Sequence, residues 1–212
     1  MKSLGPSQIE RLTSLFQLGA TEASKALSLW LARDANVCIE RLEQLSYEAA
    51  TESLGPVDAT LCACIMGVTG GMTGYMMFCF DDASGLSLCD LLLGREAESD
   101  NWGELETSAA TETANIVGCA YLNSLAKAFS YLDGSNERLM ADSSRAWIPT
   151  PPNFVRDYAA SLLEFAIMSQ ASEFDSVLVA TTKFQIEDRP VDWNLLLIPD
   201  ALSLDSIERM LG

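Results

Sequence analysis

Apolar residues along this chain follow two rhythms, helical and alternating, and the succession runs twice. Over residues 7 to about 33, Leu12, Phe16, Ala23, Leu27 and Trp30 fall on one face of a helix. Residues 35 to about 54 read as one or two irregular strands carrying Val37, Ile39, Leu42, Leu45 and Tyr47. Residues 59–68 and 75–80 form a hairpin across a Gly-rich turn. Residues 86–93 make a short helix stopped by Gly94. The second half opens with a helix over 104–132, whose buried stripe is Ala110, Ala114, Val117, Tyr121, Leu125, Ala128 and Leu132. A polar segment, 133–145, follows it. Trp147 and Ile148 then lead into Pro149, Pro151 and Pro152. Another helix is expected over 157–171, a second hairpin over 176–186 and 194–198, and a closing helix over 203–211 before Gly212.

The segment 82–94 matches 200–212 in tempo, so the period is about 100 residues, a duplication and not a solenoid. Each half has the proportions of an α+β unit. Neither hairpin is stable alone, so the economical arrangement is one shared antiparallel sheet. The expected fold is therefore a single α+β domain over 1–212 with pseudo-twofold symmetry. Its halves are 1–99 and 100–212, and both long helices pack on one face of the sheet.

Composition narrows the chemistry. Hydrophobic residues make up 49% of the 212, which excludes general disorder. Thirteen Lys and Arg stand against 30 Asp and Glu, a net charge of −17. Nucleic acid is not an expected partner, because phosphate binding needs a positive field. The acidity serves solubility or attracts basic partners. There is no His, which removes His-based acid–base chemistry, Ser-His-Asp and Cys-His systems and most zinc sites. The six Cys form no CxxC. Cys62 and Cys64 alternate in a strand, so they share a face and read as small buried hydrophobes. The first ten residues are mostly polar and no secretory leader is expected, so free thiols in a reducing cytoplasm fit.

Residues 59–80 carry no charge over about the length of a membrane span. Four glycines interrupt them and both flanks are acidic, which fits two strands better than a spanning helix. No Gly-Lys-Ser/Thr follows the glycines, so they are not a phosphate loop.

Candidate chemistry lies opposite the buried stripe of the second long helix. Ser108, Glu112 and Asn115 stand at i, i+4 and i+7, on one outward face. A carboxylate there can pair with a partner's cation, and a carboxamide can hold a water by donating and accepting. On the residues alone, a merely solvated helix face is the commoner reading of such a pattern.

The stretch Ser108-Ala-Ala-Thr-Glu112-Thr-Ala-Asn115-Ile-Val-Gly118, continuing to Tyr121, Leu122 and Leu125, resembles the signature helix of the CheC/CheX/FliY family of chemotaxis phosphatases. Pro152, Asp157 and Leu163 resemble the family's next segment, and 174–179 and 195–199 its closing strands. The likeness spans nearly the whole chain in the order of its parts. Two-site members carry one site per half. Here the register places Glu10 at the leading position, Ser14 where the acid belongs and Gln17 where the Asn belongs. Thr21 replaces a family glycine. The resemblance thus implies a decayed first site. Asn115 and Pro152 enclose 36 residues, more than the family's spacing, and a surface insertion is expected over 133–145.

The resemblance implies removal of phosphate from an aspartyl-phosphate on a CheY-like response regulator. Asn115 would orient water and Glu112 would pair with the regulator's Lys. Ser108 would support the Glu or touch the partner, and Ile116 and Cys119 would contact the partner. No cofactor or metal of its own is implied, since the Mg²⁺ belongs to the regulator. The alternative is a non-enzymatic relative that binds a CheD-type deamidase or the flagellar switch. A third reading, an unrelated acidic sensory domain, would be favoured by a fold lacking the two hairpins.

Overall fold

The computed structural model describes residues 3–56, 58–95, 101–132, 146–168, 177–186 and 189–212. The first half runs α1 (Pro6–Leu31), β1 (Ala35–Leu45), α2 (Tyr47–Leu54), β2 (Thr60–Gly70), β3 (Gly74–Phe80) and α3 (Asp82–Leu93). The second runs α4 (Glu104–Leu132), β4 (Trp147–Pro149), β5 (Asn153–Tyr158), α5 (Ala159–Met168), β6 (Val177–Ile186), β7 (Arg189–Pro199) and α6 (Ala201–Leu211). All strands join one antiparallel sheet in the order β1-β6-β7-β3-β2-β4, with β5 also on β2. Both expected hairpins are present, so the sensory-domain reading falls away.

The pairing is twofold. The second hairpin strands, β3 and β7, pair at the centre. The first strand of each half then pairs with the other half's hairpin, β1 on β6 and β4–β5 on β2. Where β1 bulges between Ile39 and Arg41, its counterpart is broken into β4 and β5 by Thr150, Pro151 and Pro152. Capping repeats as well. Asp81 and Asp200 each accept the N–H three residues on, from Ser84 and Ser203, at 2.7 Å. Gly94 closes α3 in the left-handed region at φ 65°, where a side chain would be strained.

Alternation within the strands divides the core between the two faces of the sheet. Cys62, Cys64 and Met66 of β2 face α1 and α4, while Leu61, Ala63 and Ile65 face α2 and α5. The two long helices share one face, and Cys62 and Cys64 share it with them, as their spacing predicts.

Several boundaries differ from the sequence reading. Residues 47–54 form helix α2, not strand, because the Ser46 hydroxyl accepts the Ala49 N–H at 3.2 Å and starts a helix. The helix expected from Asp157 begins at Ala159, since Asp157 and Tyr158 pair with Leu61 and Thr60 of β2. β7 begins at Arg189, before the expected Asn194. Trp30 is 46% exposed and Leu132 is 49% exposed, so neither belongs to its expected stripe. Phe129, stacked on Trp147 at 5.4 Å, takes the inward place at the end of α4 and turns Ala128 to the flank. The segment 133–145 and the expected ends at 171 and 176 lie outside the described residues. Among the described residues no helix is long and apolar enough to cross a membrane, and residues 59–80 hold β2 and β3.

Candidate functional site

α4 carries the three signature residues, and its start is tied down on several sides. The Gly103 N–H donates to Glu106 Oε2 at 3.0 Å, closing the first turn. Glu106 is buried and also takes Arg95, which holds its carboxyl below the usual carboxylate range. The Cys89 thiol donates to the Glu106 carbonyl at 3.3 Å. Just upstream, the Trp102 indole donates to Asp82 Oδ1 at 2.8 Å. The same carboxylate takes both Arg156 Nε and Nη2, at 2.9 and 2.6 Å, and the Cys62 thiol at 3.3 Å. Asp82 therefore links α3, β5, β2 and the approach to α4. Arg156 chiefly holds its carboxyl down, to about 2.

On this anchored helix Ser108 and Glu112 are exposed, while Asn115, Ile116 and Cys119 are half-buried. Glu112 makes no hydrogen bond or ion pair among the described residues. The Cys119 thiol donates to Asn115 Oδ1 at 3.6 Å. Burial raises the Cys119 thiol's pKa, with the Glu112 charge adding to it, so the sulfur keeps its proton for that contact. Ser108 and Glu112 line a groove of about 440 Å³ with Trp30, Leu91, Leu93 and Leu105. Asn115 lies outside its lining, one turn further along α4. Trp30, at 46% exposure, which helical spacing assigned to the buried stripe of α1, and Leu105, at 59%, which it did not single out, both flank the site. Their signal is local: a large apolar residue in the last turn of α1 and another in the acidic first turn of α4.

The first half presents a different surface at the equivalent positions. A shift of 98 residues carries Gly5 onto Gly103 and Gln8 onto Glu106, and the Gly5 N–H donates to Gln8 Oε1 at 2.8 Å in the same way. That shift also carries Glu10, Ser14, Gln17 and Thr21 onto Ser108, Glu112, Asn115 and Cys119. Ser14 Oγ donates back to the Glu10 carbonyl at 3.1 Å, within its own helix. Gln17 Oε1 accepts the Ile39 N–H of β1 at 3.4 Å. Ser24 and Ser28 accept the Val37 and Ala35 N–H groups at 2.8 and 3.0 Å. The three side chains together cover the open edge of β1, the first strand of the sheet.

Among the described residues no cluster of three or more His, Cys, Asp or Glu side chains is placed to hold a metal ion. Cys62, Cys64, Cys79 and Cys89 are buried free thiols, and burial raises the pKa of each. Cys64 and Cys79 fill the core as small hydrophobes, while Cys62 and Cys89 also donate to Asp82 and to the Glu106 carbonyl.

The chain has the CheC/CheX/FliY-type fold. It superposes on Thermotoga maritima FliY with a TM-score of 0.76, at 15% identity over 99% of this chain and 98% of that one. It superposes on FliM in the FliG–FliM complex from H. pylori with a TM-score of 0.66, at 12% identity over 97% and 100% of the two chains. The chemotaxis protein CheX of Desulfovibrio desulfuricans gives 0.52, at 10% identity over 88% and 99%. No protein-family model and no curated protein matches the sequence.

Proposed function

We propose that this protein removes phosphate from the aspartyl-phosphate of a CheY-like response regulator, in chemotaxis or two-component signalling in the cytoplasm. One observation carries the reading: Glu112 stands exposed and unpaired among the described residues beside an apolar groove, with Asn115 one turn further on the same anchored helix. An acyl phosphate is intrinsically reactive, so catalysis reduces to placing a water in line. Asn115 does this with its carboxamide. Cys119 takes up part of the Oδ1 acceptor capacity and leaves the amide N–H groups for the water. Glu112 pairs with the regulator's active-site Lys and fixes the approach. Ser108 and Ile116 complete the contact, together with Trp30 and Leu105 of the groove. No shifted pKa and no cofactor of its own is required; the Mg²⁺ is the regulator's.

The first half contributes no second site. Ser14 cannot form the ion pair, and Gln17 is one methylene longer than Asn and tied to β1.

The fold likeness to FliM, one of whose solved structures is a complex with FliG, favours a second reading. In it the protein is a binding component of the flagellar switch and performs no chemistry. The discriminating experiment is the lifetime of the acyl phosphate on phosphorylated CheY-like proteins of the same genome, with and without this protein. A shortened lifetime supports the phosphatase. Binding with an unchanged lifetime supports the switch component.

A further inference from the structure

We propose that the wedge between the C-terminal halves of α1 and α4 is a docking groove for an acidic amphipathic helix supplied by another protein. The wedge has a volume of about 780 Å³. It lies apart from the Glu112 groove, with no lining residue in common, and the proposal does not rest on the phosphatase reading. Leu18, Leu29 and Tyr131 stand on it at 54%, 83% and 52% exposure. Ala26, Ala120 and Ala128 keep its walls low. Apolar residues at helical spacing on two adjacent helices receive a third helix through anchors at i, i+3 or i+4, and i+7.

Charge selects the occupant. The chain has four lysines, Lys2, Lys25, Lys127 and Lys183, in a protein of net charge −17. Two of them, Lys25 and Lys127, line this wedge. Its one acid, Glu22, pairs with Lys25 at 2.6 Å and cancels it, which leaves Lys127 as the net charge of the lining. Lys127 is exposed and carries no ion pair among the described residues. The wedge is thus locally positive on an otherwise acidic molecule, and the complement is a helix with carboxylates flanking its apolar face. The groove beside Glu112 has no cation in its lining and asks for the opposite charge.

The test uses the full chain and fluorescein-labelled helical peptides. One carries Leu at helical spacing flanked by Glu, and its twin carries Lys in place of each Glu. The global charge alone would favour the basic twin, so the two explanations point in opposite directions. Fluorescence anisotropy should show saturable binding of the acidic peptide, weakened by salt and about tenfold tighter than its twin. Lys127→Glu and Leu29→Glu replace exposed residues and should each weaken binding by about tenfold with the fold intact by circular dichroism. Equal or tighter binding of the basic twin would overturn the proposal, as would binding indifferent to both substitutions. Sedimentation showing self-association that Leu29→Glu abolishes would also overturn it, because the occupant would then be a second copy of this chain.

Discussion

Gly19 on α1 and Tyr121 on α4 meet so closely that a Cβ at Gly19 would stand 2.5 Å from the ring's Cδ1. The tyrosine is fully buried and also packs near Phe16, with ring centroids 6.3 Å apart, so it has little room to yield. In most helix interiors Gly→Ala gains about 1 kcal/mol. Here overpacking costs about 1–3 kcal/mol, and a contact this short against a fully buried ring puts it in the upper part of that range, a net loss of about 1–2 kcal/mol. Gly19→Ala should therefore lower the melting temperature by several degrees. In a Tyr121→Leu background the same change should become neutral or stabilising. A thermal double-mutant cycle measures both, and additive effects would contradict the contact.

Asp82 gives the fold a signature in acid. Its carboxyl is held at about 2 against an ordinary 3.8, chiefly by Arg156. A depressed folded-state value stabilises above the unfolded value, so the contribution is complete above about pH 4 and disappears as pH falls toward 2. The pair is partly exposed, which keeps the effect small through solvent screening. Asp82→Asn should be less stable than the wild type near neutrality, and the gap should close as the solution is acidified below about pH 4. Denaturant midpoints across that range check the sign. A gap that is constant with pH would show that the Arg156 pairing contributes nothing.

Much of this architecture was legible because long amphipathic elements announce themselves. The bounds of α4 and Gly94 as the stop of α3 agree with the sequence reading, and both hairpins were placed in the right order. What escaped was local competition. Residues 47–54 carried β-type residues in their neighbourhood, but the Ser46 cap decided for helix. Asp157 and Tyr158 have a helical pattern after them, but pairing with the edge of β2 claimed them first. Of the candidate site, the signature face of α4 was readable from spacing. The groove beside it was not, because Trp30, Leu93 and Leu105 come from three separate elements that only the tertiary structure brings together.

The first half should prove structural. Gln17→Ala removes the Ile39 contact and leaves part of the β1 edge uncovered, which should cost about 0.5–1.5 kcal/mol. Ser14→Ala should stay within about 0.5 kcal/mol. Neither should change the rate of regulator dephosphorylation once the protein is folded. Stopped-flow or phosphate-release rates for both variants check this, and a large rate loss without loss of stability would restore a second site.

The central claim is that Asn115 places the attacking water and Glu112 holds the partner. The direct measurement is the dephosphorylation rate of a phosphorylated CheY-like regulator by the wild type, Asn115→Ala and Glu112→Ala, with regulator affinity measured alongside. Asn115→Ala should lose about a hundredfold in rate while keeping its melting temperature and its affinity. Glu112→Ala should lose about tenfold in affinity as well as rate, because a charged pair is removed. A wild type that binds the phosphorylated regulator without shortening its lifetime, or an Asn115→Ala variant as active as the wild type, would contradict the account.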